Sequence, residues 1–142
     1  MVKRVTPPEA QALLGEGWVY LDVRSIPEFD DGHPPGAANV PLLHFQGGRM
    51  VPNPDFAAVV AANFPKDAKI VVGCKAGGRS LRAAQKLSVE GFSSVVDQRA
   101  GWDGARDPFG QLSEPGWSRA GLPAEQGQPS GRSWEDMKGK AG

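Results

Sequence analysis

The chain has 142 residues, which is enough for one domain and short for two. Its 16 Lys and Arg residues balance 16 Asp and Glu residues, which argues against binding nucleic acid through a basic face. With 39% hydrophobic residues the chain can bury a core, and no apolar run approaches the ~20 residues that span a bilayer. The first eight residues lack the apolar segment of a signal peptide, so we expect a cytosolic protein with no membrane partner.

The cysteine and histidine counts limit the disulfide and metal chemistry open to this chain. Cys74 is its single cysteine, so no disulfide can form within the chain. One thiol and two histidines are fewer ligands than a typical structural zinc site uses, so we expect no metal site.

The first forty residues alternate between short helix and strand signals. Thr6 precedes two prolines and a glutamate, a capping pattern that predicts a helix ending near Gly15. Residues 19–23 form an apolar run typical of a buried strand, and residues 26–31 predict one or two helical turns. Residues 38–41 predict a short strand that ends at its proline.

The middle of the chain continues this alternation. Residues 53–55 are a typical helix start, and apolar side chains follow at helical spacing: Phe56, Val59, Val60 and Phe64. Residues 69–73 are the clearest strand, residues 79–90 predict a helix that stops at Gly91, and residues 94–96 predict a last strand. The pattern predicts an α/β fold, an open, mostly parallel sheet of about five strands with helices on both faces.

The C-terminal third is richer in turn formers and poorer in apolar residues. Residues 103–116 are typical of a surface loop inserted into a domain that spans residues 1–123. Residues 124–142 predict a flexible tail. The alternative is that Trp134 and Met137 lie on a short helix that docks on the domain.

Cys74 stands where open parallel sheets bind ligands, directly after a strand and before a helix. At that point a sulfur faces unpaired backbone N–H groups and the positive end of a helix dipole, and both favour the thiolate. Gly77 and Gly78 let the loop curl so that N–H groups converge on an anion-sized pocket. Cations surround this pocket, namely Lys75, Arg79 and Arg82. The alternative is an inert, buried cysteine that packs as a small hydrophobic residue.

The segment Cys-Lys-Ala-Gly-Gly-Arg-Ser at residues 74–80 resembles the active loop of rhodaneses, whose pattern is Cys-x-x-Gly-x-Arg-Ser/Thr. Three other stretches resemble the same family in order and spacing: Leu-Asp-Val-Arg at 21–24 with Glu28-Phe29, Gly-His-Pro-Pro-Gly-Ala at 32–37 with Asn39-Val40-Pro41, and the closing turn at 116–123. About fourteen residues separate Gly101 from Gly116, a departure from the family that puts the acceptor preference in doubt.

The resemblance implies a rhodanese-like fold and a sulfurtransferase that needs no metal or organic cofactor. Cys74 would take sulfur from an anionic donor such as thiosulfate, carry it as a persulfide and pass it to cyanide, a thiol or a protein. Because the chain has no other cysteine, the acceptor must come from outside. The implied substrate-binding residues are the rest of the loop: Lys75, Ala76, Gly77, Gly78, Arg79 and Ser80. Backbone N–H groups of residues 76–80 would hold the outer sulfur, and Lys75 and Arg79 would attract the donor.

Two other functions use the same architecture. A cysteine phosphatase has five residues between cysteine and arginine, whereas four separate Cys74 from Arg79, and the smaller loop suits one sulfur atom better. A persulfide carrier that serves one protein partner would differ only in its acceptor.

Several other polar and aromatic residues have a structural interpretation. We expect His33 to satisfy a backbone group within its turn. We expect Asp22 and Arg24 to fix the first strand, with Arg24 pairing with Glu28. Trp102 is expected at a core edge, with the pocket mouth as its alternative position.

Overall fold

The computed structural model describes residues 2–141, and all statements of fold refer to that range. Its strands are β1 (Lys3–Val5), β2 (Val19–Asp22), β3 (Ala38–Asn39), β4 (Leu43–Gln46), β5 (Arg49–Pro52), β6 (Lys69–Gly73), β7 (Ser94–Gln98), β8 (Gly104–Arg106) and β9 (Leu112–Pro115). Its helices are α1 (Pro7–Gly15), α2 (Ile26–Asp31), α3 (Phe56–Asn63), α4 (Gly78–Val89) and α5 (Trp134–Gly139), with a 3₁₀ turn at Trp117–Arg119. No helix in this range is long and apolar enough to cross a membrane.

A five-stranded sheet in the order β1-β7-β6-β2-β3 forms the centre of the molecule. All four pairs of neighbouring strands are parallel, which confirms the predicted fold class. The fifth strand is β1, which the sequence pattern did not indicate because three residues are too few to show a periodicity. Since the strands run in one direction, their carboxyl ends lie along one edge of the sheet.

Alternate side chains of the strands pack on opposite faces of the sheet. Leu21 and Val72 point to the face covered by α3, α4 and α5, where they join a cluster that includes Val59 and Leu87. Tyr20 and Val71 point to the other face, where α1 and α2 contribute Ala10 and Phe29 to a second cluster. The predicted arrangement of helices on both faces is therefore confirmed.

The first helix begins with the reciprocal cap that the sequence indicates. The Thr6 hydroxyl accepts a hydrogen bond from the Glu9 amide at 3.2 Å, and the Glu9 carboxylate accepts one from the Thr6 amide at 2.9 Å. Hydrogen bonding of the Glu9 carboxylate to the Thr6 amide and, second, to the Thr6 hydroxyl lowers the pKa of Glu9. This cap fixes the direction in which α1 leaves β1.

Residues 124–141 differ from the predicted flexible tail, because they pack beside β3, the outermost strand of the sheet. The Glu125 and His33 backbones exchange two hydrogen bonds of 2.9 Å, and the Asn39 amide donates to the Arg132 carbonyl at 2.9 Å. The helix α5 then buries Trp134 and Met137 against the cluster on the α3–α4 face. The alternative of a docked short helix therefore describes this segment. Its few apolar residues stand three apart, on one face of a helix, which is enough to dock it.

Two antiparallel hairpins lie outside the main sheet. The pair β4–β5 spans residues 43–52 and was not predicted. The pair β8–β9 lies within residues 103–116, so the predicted surface loop is a short hairpin with a bulge near Ala105. The beginning of this segment contacts the loop after β6, since the Asp103 amide donates to the Lys75 carbonyl at 2.9 Å.

Candidate active site

Cys74 follows β6 in the middle of the sheet, and α4 begins four residues later. The residue is 2% exposed and closes one end of the α3–α4 core, but its sulfur has polar neighbours. The Gly77 amide donates a hydrogen bond to Sγ at 3.1 Å, and the Ser80 hydroxyl oxygen lies 3.3 Å from Sγ. The sulfur therefore lies at the N-terminus of α4, where backbone amides stabilise negative charge.

Only one of the two loop glycines is required by the backbone. Gly77 has a φ of +102°, and a Cβ there would collide with the Arg99 carbonyl oxygen. Gly78 has a helical conformation with open space around its Cα. The sequence analysis gave both glycines the same role, whereas the turn itself depends on Gly77.

A second turn, at residues 102–104, supports the loop through backbone hydrogen bonds. The Trp102 amide donates to the Cys74 carbonyl at 2.7 Å, while the Asp103 and Gly104 amides donate to the Lys75 carbonyl at 2.9 and 3.3 Å. These bonds hold loop carbonyls on the outer side. The C=O and N–H of a trans peptide point in opposite directions. The amides that follow these two carbonyls, those of Lys75 and Ala76, are therefore turned toward the inside of the loop.

Arg79 forms a bidentate ion pair with Glu28 at the rim of the loop. The two N···O distances are 2.8 and 2.9 Å, and the side chains are 15% and 23% exposed. Burial disfavours the charge on each side chain, but the attraction within the ion pair outweighs burial. The pKa of Arg79 is therefore raised. The pKa of Glu28 is lowered to about 2 by Arg79 and, to a lesser extent, by hydrogen bonds from Ser25. The sequence analysis wrongly assigned Glu28 to Arg24, because spacing along α2 does not show which partner is nearer in space.

Arg24 instead forms a buried pair with Asp22. Its Nη2 lies 2.7 Å from Asp22 Oδ2, and it also donates to the Gly32 carbonyl. Burial alone would lower the pKa of Arg24, but the Asp22 carboxylate outweighs it and raises the pKa. The expected structural role is confirmed, since this pair ties β2 to the turn after α2. The guanidinium carbon also lies 5.2 Å from the centre of the Trp102 ring.

A cleft of about 260 Å³ lies beside the loop. Its lining residues have mixed charge: Arg24, Glu28, Asp31, Lys75, Trp102 and Asp103. Lys75 is exposed there. Trp102 lines this cleft and also packs against the edge of the core cluster on the α1–α2 face, so both of its expected positions are confirmed. Arg82, which the sequence grouped with the loop cations, lies on the exposed side of α4 and lines a separate cleft with Lys86.

His33 has the structural role that the sequence analysis assigned to it. Its ring is fully buried and stacks on Phe29, with 3.7 Å between ring centres. Nδ1 lies 2.7 Å from the Phe29 carbonyl oxygen, and Nε2 lies 3.1 Å from the Glu125 carboxylate. Within residues 2–141 no group of three or more His, Cys, Asp or Glu side chains is placed to hold a metal ion.

Residues distant in sequence complete the surroundings of the loop, and the sequence analysis missed them. Arg4 on β1 pairs with Asp97 on β7 at 2.7 Å and donates to the Gly77 carbonyl at 3.3 Å. Nothing in the local sequence marks either residue, since both contacts form only when the sheet assembles.

This chain belongs to the rhodanese-like family: its residues 6–107 match the Rhodanese-like domain, a range that includes the whole loop. The crystal structure of Rv0390 from M. tuberculosis has a similar fold, with a TM-score of 0.74 at 26% sequence identity. The similarity covers 89% of this chain and 98% of that one.

Two plant relatives illustrate what is known of similar chains. Thiosulfate sulfurtransferase 16, chloroplastic, of Arabidopsis thaliana is 38% identical over 82% of this chain and 87% of its own length. Senescence-associated protein DIN1 of Raphanus sativus is 42% identical over 66% of this chain, which spans about half of that protein. The family and relatives of this kind support sulfurtransferase activity in general. The expected cytosolic location stays a prediction, since relatives include proteins named chloroplastic and mitochondrial.

Proposed function

We propose that this protein transfers a sulfane sulfur from an anionic donor such as thiosulfate to an external thiophilic acceptor, through a persulfide on Cys74. The observation that carries the proposal is the hydrogen bond of 3.1 Å from the Gly77 amide to Cys74 Sγ at the start of α4. A hydrogen-bond donor aimed at the Cys74 sulfur favours the thiolate, and the thiolate is the form that attacks.

In the first step the Cys74 thiolate attacks the outer sulfur of thiosulfate. A new S–S bond forms, the old S–S bond breaks, and sulfite leaves with the electron pair of that bond. The outer persulfide sulfur then carries the negative charge, about 2 Å beyond Sγ. We expect the inward-facing loop amides to stabilise that charge, in the way an oxyanion hole stabilises oxygen.

In the second step the acceptor attacks the outer sulfur and Cys74 leaves as the thiolate. A cyanide acceptor would become thiocyanate, and a thiolate acceptor would become a persulfide. Cys74 is only 2% exposed, so the acceptor meets the outer sulfur rather than Sγ. The sequence has no second cysteine to resolve the persulfide, and this supports an acceptor outside the chain, either a small molecule or a protein.

Lys75 and Arg79 differ in how they can attract an anionic donor. Lys75 is exposed beside the cleft, so its ammonium group is free to meet thiosulfate. Arg79 is held by Glu28, and its positive charge is offset by that carboxylate. We therefore assign the direct electrostatic attraction mainly to Lys75, and to Arg79 the neutralisation of Glu28 at the rim.

Thiocyanate release from thiosulfate and cyanide tests this function. Cys74→Ala should abolish release while lowering the free energy of unfolding by about 1 kcal/mol, since a single buried sulfur atom is removed. Activity that survives in this variant would reject Cys74 as the nucleophile. Hydrolysis of a phosphate monoester by the wild type, lost in Cys74→Ser, would favour the phosphatase alternative instead. Persulfide formation with discharge only to a protein acceptor would identify a carrier.

A further inference from the structure

We propose that Arg4 and Asp97 form a positioning pair that orients the peptide between Gly77 and Gly78, so that the Gly78 amide faces the outer sulfur of the persulfide. This inference rests on the proposed function and assigns a role to two residues that lie outside the active loop. Arg4 is 73 residues away from Gly77 in sequence.

The Gly77 carbonyl oxygen is the group through which Arg4 contacts the loop. Arg4 Nη2, the Ser80 hydroxyl and the Leu81 amide each donate to this oxygen at 3.3 Å. The peptide that follows is trans, as are all the described peptides, so its N–H points away from these three donors. That direction leads out of the N-terminus of α4, where Cys74 Sγ already accepts the Gly77 amide.

Arg4 contacts the loop closely enough to limit its movement. A Cβ at Gly77 would lie 3.2 Å from Arg4 Nη2 and would collide with the Arg99 carbonyl oxygen. Gly77 is therefore enclosed between these two groups, and its left-handed φ of +102° is held by them. Loss of the Arg4 guanidinium would leave the peptide with two long hydrogen bonds and room to rotate.

Asp97 holds the Arg4 guanidinium in the position from which it contacts the loop. Arg4 and Asp97 are register partners in the parallel pair β1–β7, and Arg4 Nε lies 2.7 Å from Asp97 Oδ2. The Asp97 carboxylate is fully buried, and burial raises its pKa even though the nearby Ser80 hydroxyl and Arg4 guanidinium oppose the rise. Within the described residues its Oδ1 has no hydrogen-bond partner. The Asp97 carboxylate therefore holds the Arg4 guanidinium beside the Gly77 carbonyl.

A second arginine provides a matched control, because it also pairs with a carboxylate and donates to a backbone carbonyl. Arg132 Nη1 lies 3.0 Å from Glu125 Oε1 and donates to the Ala37 carbonyl at 2.9 Å. Arg132 is 31% exposed, close to the 40% of Arg4, and its side chain has no hydrogen bond to the loop 74–80. Arg132→Gln therefore removes a similar arginine contact without changing the orientation of the Gly77–Gly78 peptide.

The test compares Arg4→Gln, Arg4→Lys and Arg132→Gln with the wild type in two measurements. The first is the rate of persulfide formation at saturating thiosulfate, followed by rapid quench and intact mass. The second is the N–H residual dipolar coupling of Gly78, which reports the direction of that bond and is measured by NMR in protein without thiosulfate. Arg4→Lys keeps a cation for Asp97 but cannot span both the carboxylate and the Gly77 carbonyl.

We expect Arg4→Gln to slow persulfide formation about tenfold with KM for thiosulfate unchanged. This is less than the ~100-fold cost of removing a whole oxyanion-hole donor, because the Gly78 amide is misaligned rather than lost. The Gly78 coupling should move away from its wild-type value in Arg4→Gln and Arg4→Lys. In Arg132→Gln the coupling should match wild type, and the rate should stay within twofold of wild type.

Two results would overturn the inference: a rate and a Gly78 coupling in both Arg4 variants that match Arg132→Gln, or a loss confined to KM. Failure of the proposed function is a different observation, namely no persulfide in the wild type. In that case the Gly78 coupling still decides whether Arg4 orients the peptide.

Discussion

The loop at residues 74–80 and the segment at residues 124–141 lie at opposite extremes of sequence locality. In the loop, the hydrogen bond that defines the site joins Gly77 to Cys74, three residues away. In the C-terminal segment, the corresponding bonds join Glu125 to His33 and Met137 to Asn63, which are separated by 92 and 74 residues. The contact that surrounds the sulfur is therefore local in sequence, although distant residues such as Arg4 hold the loop in place, whereas the segment is specified by the surface on which it docks.

This difference separates chemistry from stability. The loop surrounds a reactive sulfur with glycine, which offers backbone amides and few apolar atoms. The segment contributes Trp134 and Met137 to the main core cluster and has no contact with Cys74 Sγ through hydrogen bonds. Substitutions in the two regions should thus affect different measurements.

The largest effect on stability is expected from Trp134→Ala. Removing a large buried aromatic side chain should lower the free energy of unfolding by about 3 kcal/mol, measured by denaturant titration. Sulfur transfer per folded molecule should stay unchanged. Val89→Ala is the control, because Val89 is an apolar residue that is 87% exposed and its truncation should change stability by less than about 0.5 kcal/mol. A matching loss of activity in folded Trp134→Ala protein would show that the two regions are coupled.

A smaller effect, on donor use, is expected from Arg79→Ala. The Glu28 carboxylate would lose its bidentate partner and repel the anionic donor, so kcat/KM for thiosulfate should fall about tenfold, equivalent to about 1.4 kcal/mol. The double variant Arg79→Ala/Glu28→Gln should recover most of this loss. If the double variant is as slow as the single one, Arg79 binds the donor directly and the neutralising role is wrong.

The smallest effect is a change in acid stability at the rim of the loop. Because the folded pKa of Glu28 is about 2, below its ordinary value of 4.5, ionised Glu28 stabilises the fold above pH 4.5. This contribution is lost as the pH falls from 4.5 toward 2. The free energy of unfolding of wild type should therefore approach that of Glu28→Gln over this interval, by about 1 kcal/mol after solvent screening. A constant difference between the two proteins from pH 6 to pH 2.5 would contradict the assigned pKa.

The parts of the fold that sequence reasoning predicted share strong local signals. Residues 69–73 are apolar and β-branched, Thr6 begins a capping box, and Cys74 stands between a strand and a helix. The same signals predicted the position of Cys74 at the carboxyl end of a strand of the parallel sheet. Each of these inferences needed only a few neighbouring residues.

The parts that sequence reasoning missed depend on distant partners. The short strand β1 is a strand because β7 lies beside it, and α5 is docked because the core leaves a surface for Trp134. The partner of Glu28 is Arg79 rather than Arg24, which lies closer in sequence, and Arg4 has no local feature at all. No pattern within a short window contains this information, since tertiary packing decides it.

The central claim is that Cys74 carries the transferred sulfur, and intact-mass measurement tests it most directly. After incubation with thiosulfate and removal of the donor, the wild type should gain the mass of one sulfur atom. A reductant or cyanide should remove that mass, and Cys74→Ser should never acquire it. A wild-type protein that turns over thiosulfate while its mass stays unchanged, or a Cys74→Ser protein that gains sulfur, would contradict the account.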